Sequence, residues 1–326
     1  MNTWWRRDTL PDTMAVNDKL FLIGGCSFTA REDPKHESWA WQLQDDLRVG
    51  GEVLNTAEMA SGNQIIFDRI AAQLSKPEIM DLNPIVLVMW SSPLRKEFLI
   101  TSDDPDYRNI YRERETGFTN YIRHDKPVWG EYKHPMSNWL IVGGGYGVWD
   151  YGIPSLDARL KNYFNGVYSI PQCYVDTCRA IVGLQTLCKS LNVPLVNMCW
   201  MNIFHDLHAW DGYDRNKVGV NAGHGWIARR FYDQYTQDKR SDLDSGEFHN
   251  KAIWRMYPDC KHWVDMIDWD TWFFYENDKV KKGGLAEFSY FECKTAAKKM
   301  WEHPSAAVQK KWMKKVKQEL KRRKYL

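Results

Sequence analysis

The chain has little net charge, no long apolar run and no paired-cysteine motif, and each absence removes a class of protein. Its 44 Lys and Arg nearly cancel 42 Asp and Glu over 326 residues, so the chain as a whole is not patterned as a nucleic-acid binder. No apolar stretch approaches the ~20 residues that a membrane-spanning helix needs. No apolar segment follows the charges of Met1-Asn-Thr-Trp-Trp-Arg-Arg7, which predicts no secretory signal and a cytoplasmic protein. The seven cysteines, at 26, 173, 178, 188, 199, 260 and 293, are an odd number without a CxxC pair. They fit small buried hydrophobes in a reducing compartment better than disulfides. His205, His208, Asp211, Asp214 and His224 lie near one another in sequence but without HExxH spacing, so neither a metal nor another cofactor is expected. Gly143-Gly-Gly-Tyr-Gly147 lacks the strand before and the helix after that a phosphate loop requires.

Aromatic residues, by contrast, are abundant: 17 Trp, 16 Tyr and 13 Phe. Aromatic side chains bury large areas, so core or interface packing is their first use. Those in the polar middle of the chain are candidates to stack on sugar rings or to dock on a protein partner. The positive charge that is missing overall is gathered at one end. Gln309–Leu326 holds nine Lys and Arg and a single acid. Trp312, Val316 and Leu320, four apart, predict an amphipathic helix over about 304–324 with a basic face. A solvated surface helix is the default role for such a face. An anionic partner (nucleic acid, a membrane surface or an acidic protein) is the alternative, and the only route to nucleic acid that the sequence offers.

The hydrophobic pattern predicts an α/β fold. Lys19–Ile23 and Pro84–Ser91 are continuous apolar runs, as in strands covered on both faces. Helical spacing between them marks Glu37–Leu47 and Asn63–Leu74, with a short strand at Glu52–Asn55. Strand, helix, strand, helix, strand in about 70 residues implies parallel βαβ units and a doubly wound sheet. The rhythm breaks at Pro93 and resumes with a helix over about 171–191 and a strand at Val193–Trp200. The reading is one domain over 1–326. Its core covers about 18–98, 171–201 and 293–322, and two irregular insertions cover about 99–169 and 202–290.

The first strand ends in Gly24-Gly-Cys-Ser27-Phe-Thr29. Two glycines allow a sharp turn, which sets Ser27 at the carboxyl end of the strand, where open α/β sheets carry their chemistry. A capping serine is the plain alternative. The nucleophile elbow of α/β-hydrolases does not fit, because it wants G-x-S-x-G on a later strand and position 29 is Thr.

Four places together resemble the SGNH (GDSL-like) hydrolase family, in particular the divergent members found in tailed-phage genomes. Gly25-Cys-Ser27-Phe-Thr29 resembles the nucleophile block, and Asn55-Thr-Ala-Glu-Met-Ala-Ser-Gly62-Asn63 the block whose glycine lends an N–H to the oxyanion hole. Met89-Trp-Ser-Ser-Pro-Leu-Arg95 stands in the place of the third block, and His303-Pro304-Ser305 resembles the block of the catalytic histidine. The resemblance implies a three-layer α/β/α sandwich with a mostly parallel, flavodoxin-like sheet. It also implies hydrolysis of an ester by Ser27 as nucleophile and His303 as general base. The N–H groups of Ser27 and Gly62 would form the oxyanion hole, with the Asn63 side chain as a further donor or else a helix N-cap. Two positions depart from the family. Pro93 or its neighbours replace an oxyanion-hole Asn, for which Ser91 or Ser92 are substitutes. Met300 replaces the orienting Asp, for which Glu302, Asp268 or Asp270 are substitutes, as is a backbone carbonyl. The substrate expected is a small-molecule or carbohydrate ester, such as an O-acylated polysaccharide. The alternative is an inactive protein of the same fold that uses its insertions and basic helix for assembly with protein partners, for example in a virion.

Overall fold

The computed structural model describes residues 19–30, 37–46, 51–58, 61–93, 95–100, 122–124, 138–142, 154–166, 170–201, 203, 261–276, 283–293 and 303–326. Four parallel strands form the central sheet: β1 (Lys19–Gly24), β2 (Gly51–Asn55), β3 (Ile85–Trp90) and a later strand, Leu195–Cys199, in the order β2-β1-β3 and then that strand. The chain steps outward from β1 to β2 and then crosses back to β3. The adjacent carboxyl ends of β1 and β3 therefore diverge into opposite crossovers, and this is where such sheets open a crevice.

Alternation along the strands assigns each side chain to one of two cores. Leu20, Leu22, Val86, Val88 and Trp90 face one side, while Phe21, Ile23, Ile85, Leu87 and Met89 face the other. The first face is covered by α2 (Asn63–Leu74), whose Ile66, Ile70 and Leu74 point to the sheet, and by a 21-residue helix, Ile170–Ser190. The second is covered by α1 (Trp39–Asp46) and the basic helix. After α3 (Pro77–Met80) and β3, the strands β4 (Lys96–Ile100), β5 (Ile122–His124) and β6 (Asn138–Val142) form a separate antiparallel sheet in the order β4-β6-β5. Helix α4 (Pro154–Gly166) follows and meets β4 through an edge-on Phe98–Tyr163 contact, 4.9 Å between ring centroids. The described residues within 99–169 are thus regular: short strands that pair with one another rather than with the central sheet, and helix α4.

The long helix is α5 (Ile170–Ser190), and the strand after it is β7 (Leu195–Cys199). Residues 261–276 and 283–293 also join the main fold, against the expected place of 261–290 in an insertion. Helix α6 (Lys261–Asp265) packs on α5, and Trp272 pairs in parallel with Asn197 of β7. Helix α7 (Leu285–Cys293) starts against the end of β7, with Ala286 N–H donating to the Trp200 carbonyl at 2.7 Å. Gly284 makes this approach possible, since a Cβ there would collide with the Cys199 carbonyl. Backbone cannot step aside as a side-chain tip can. Gly284→Ala is therefore expected to destabilise by roughly 1–3 kcal/mol, the usual cost of overpacking, measured by urea unfolding. An unchanged midpoint would refute this packing.

The chain closes with α8 (Ala306–Arg322), which packs on α1. Val308, Trp312, Met313, Val316 and Leu320 are its buried face. Among the described residues six cysteines form no disulfide, and five of them are buried. Burial pushes the Cys188 thiol up to about 12, which keeps it protonated and unreactive. No helix among the described residues is long and apolar enough to cross a membrane.

Candidate functional site

Ser27 sits where its turn was expected, past the carboxyl end of β1. The Cys26 carbonyl accepts the N–H groups of Thr29 and Ala30, both at 2.8 Å, so residues 26–30 form one helical turn. Thr29 folds its side chain over Gly25, and a Cβ on Gly25 would overlap it. That contact explains the second glycine better than a positive φ does. Between Leu20 and Ala30 every residue is buried except Ser27, which is partly open. The turn thus hides its neighbours and leaves the hydroxyl at the rim.

His303 lies beside this turn although 276 positions separate it from Ser27 in the chain. Its ring meets Phe28 edge-on at 4.7 Å between centroids, and Phe28 stacks on Trp200 at 4.7 Å. A chain of hydrogen bonds sets this proximity. Ser38 Oγ donates to the Thr29 carbonyl at 2.7 Å, which ties the serine turn to the start of α1. Gln42 Nε2 of α1 donates to the Ala306 carbonyl at 2.9 Å, and Gln309 Oε1 accepts from Trp39 N–H at 3.2 Å. The first turn of α8, and the His303-Pro304-Ser305 segment before it, are therefore referenced to the serine turn through α1.

Across the switch point lies the start of α2. Gly62 is its N-cap and Asn63 its first residue, so Asn63 is not the cap. The Asn63 side chain instead clamps three elements. Its Oδ1 accepts from Ser91 N–H at 2.7 Å, and its Nδ2 donates to the Ser91 carbonyl at 3.1 Å and to Thr177 Oγ1 at 3.0 Å. Both amide hydrogens are thus engaged within the protein, and an oxyanion would have to compete for them. Pro93 is buried beside the cavity described below and offers no donor. Ser91 Oγ is a buried hydroxyl without a hydrogen-bond partner, in the region of the missing donor.

The group that sequence reasoning missed is Glu97. Its carboxyl lies against Gly62, so close that a Cβ on Gly62 would collide with it. It lines a cavity of about 230 Å³ together with Asn63, Arg95, Lys96, Asp176 and Thr177. Arg95 is buried and donates to the Ser61 carbonyl at 2.9 Å, and Lys96 pairs with Asp176 at 2.7 Å. Burial raises the Glu97 carboxyl to about 7, against the opposing pull of the Ile65 N–H and of Lys96 and Arg95. Nothing in Pro93-Leu-Arg-Lys-Glu-Phe98 announces this. The alternating pattern of β4 places Glu97 on the face opposite Lys96 and Phe98, but not under a glycine.

Because the folded-state pKa lies above the ordinary carboxyl value, the unfolded chain gives up this proton first as pH rises. Glu97 therefore costs nothing below about pH 4.5, and its penalty grows through the window up to 7. By pH 8 it reaches on the order of 3 kcal/mol. Glu97→Gln should exceed the parent in urea unfolding by under about 1 kcal/mol at pH 5 and by on the order of 3 kcal/mol at pH 8. Parallel stability profiles for the two proteins would refute the assignment.

The expected orienting acids fare differently. Glu302 lies outside the described residues, as do His205, His208, Asp211, Asp214, His224 and Gly143–Gly147. Asp268 and Asp270 lie just before Trp272, which makes an isolated parallel bridge with Asn197 in the middle of β7. Asp268 caps a 3-10 turn by accepting from Asp270 N–H at 3.1 Å, and its own N–H donates to Gln185 Oε1 at 3.0 Å. A buried carboxylate near the site face, Glu287, accepts from Gly284 N–H at 2.8 Å and so caps α7. Among the described residues no group of three or more His, Cys, Asp or Glu is placed to hold a metal ion.

No protein-family model matches this chain, and no curated protein matches it. The site is therefore read from its own geometry.

Proposed function

We propose that this chain is a serine ester hydrolase of the SGNH type, with the three-layer α/β/α arrangement of that family. The observation that carries the reading is the edge-on contact of His303 with Phe28, the residue next to Ser27. A serine hydroxyl is a poor nucleophile until a base takes its proton. In the proposed reaction Ser27 Oγ attacks the ester carbonyl while His303 accepts the hydroxyl proton. Negative charge grows on the former carbonyl oxygen, and the N–H groups of Ser27 and Gly62 meet it. His303 then protonates the departing alcohol, and water, deprotonated by His303, releases the acyl group from Ser27. A protonated Glu97 is compatible with an oxyanion near Gly62, whereas its carboxylate repels one. Activity should therefore fall as Glu97 ionises. An O-acylated carbohydrate is the substrate class that the aromatic insertions favour.

One set of observations favours the second reading, an inactive protein of this fold engaged in assembly, such as a virion component. The Asn63 amide is fully used, Pro93 gives no donor, and Glu97 covers Gly62. Hydrolysis of a short-chain aryl ester by the parent protein and by Ser27→Ala separates the two. A rate that disappears with Ser27 supports the enzyme. Equal rates, or none from either protein, remove ester hydrolysis of this kind.

A further inference from the structure

We propose that the outer face of α8 is a docking surface for the phosphate backbone of nucleic acid. Lys310, Lys311, Lys314, Lys315 and Lys321 on this helix are exposed, as is Lys324 just beyond its end. The ion pairs of the region use other cations: Lys317 pairs with Asp46, and Arg322 and Arg323 pair with Glu319. Among the described residues no salt bridge involves those six lysines. The single acid of the helix, Glu319, is itself buried, so α8 places no negative charge on its outer face.

The lysines are also ordered. At ~100° per residue Lys310, Lys314 and Lys321 fall within a sector of ~40°. At 1.5 Å per residue that row is about 16 Å long. Lys311 and Lys315 make a second row beside it. A line of like charges matches a linear polyanion, whose phosphates are neutralised one by one with release of their counterions.

Two other anionic partners fit less well. A membrane-bound amphipathic helix inserts its apolar face, but here Val308, Trp312, Met313, Val316 and Leu320 are committed to the protein core. A protein interface wants a buried aromatic or aliphatic anchor. Among the described residues the exposed large hydrophobics are Met266 and Leu326, so the lysine rows themselves carry no such anchor. Phosphate contacts of this kind position a protein without reading sequence, and binding should be indifferent to base composition.

The test is fluorescence anisotropy of the full chain with a labelled duplex DNA of about 20 base pairs, between 50 and 200 mM salt. Binding should weaken with a log–log slope of about −4 to −5 if five lysines each neutralise a phosphate. The variant Lys310→Gln/Lys314→Gln/Lys321→Gln should make that slope shallower by roughly 3 and weaken binding at least about tenfold at 50 mM salt. Glutamine retains helix propensity, and an unchanged circular-dichroism melt will show that the variant is folded. Lys189→Gln, exposed on α5, should leave slope and affinity as they are. No anisotropy change with micromolar protein at 50 mM salt would overturn the proposal. So would an unchanged slope in the triple variant, or tighter binding to phosphatidylserine vesicles than to DNA at equal salt.

Discussion

Ser27→Ala is expected to lower aryl-ester hydrolysis by at least ~10²-fold, and the size of the fall reports on the orienting acid. In a complete triad, loss of nucleophile or base costs on the order of 10⁶ in turnover, and loss of both costs little more. Loss of the acid alone costs ~10⁴. A site in which another group replaces the acid at Met300 should therefore drop by about 10⁶ when Ser27 goes. A bare serine–histidine pair should drop by only ~10². His303→Ala should reach the same floor, and so should the double variant, because the two groups act as one unit. KM should change little, since both groups act on the transition state more than on bound ester. A double variant whose loss is the product of the single losses would show that Ser27 and His303 do not work together, despite the contact of His303 with the neighbouring Phe28.

The largest stability effect is expected at Trp312. It is fully buried on α8, with ring centroids 5.3 Å from Phe273 and 5.4 Å from Phe288. Removal of such a side chain costs the transfer free energy of the ring plus that of the cavity left behind, about 3–5 kcal/mol for Trp312→Ala. The indole Nε1 has no hydrogen-bond partner. Trp312→Phe forfeits no hydrogen bond and fills most of the space, and should cost less than half as much. Urea unfolding of the three proteins checks both statements. An alanine variant within 1 kcal/mol of the parent would mean that α8 is not part of the cooperative core. Since α8 begins three residues after His303, that result would also remove the support on which the histidine stands.

Much of this architecture is legible in the amino-acid sequence. Continuous apolar runs at Lys19–Ile23 and Pro84–Ser91 predict strands covered on both sides, and strands stand at Lys19–Gly24 and Ile85–Trp90; the helical spacing of Ile66, Ile70 and Leu74 predicts α2. Such patterns are local, and burial on a sheet enforces them along the whole element. The antiparallel strands β4, β5 and β6 are too short to show a period, and the β4–β6 pairing joins Lys96–Ile100 to Asn138–Val142 across some forty intervening residues.

The candidate site divides along the same line. The Gly-Gly-Cys-Ser turn at the end of β1 follows from residues adjacent in sequence, because the glycines, the strand and the partly open Ser27 are neighbours in one chain segment. Three facts depend instead on distant segments meeting. His303 reaches Phe28 through the α1–α8 packing, the Asn63 amide is used up between β3 and α5, and Glu97 comes to lie on Gly62. Each is set by which side chains compete for one enclosed volume and one set of hydrogen bonds, and no short stretch of sequence carries that information.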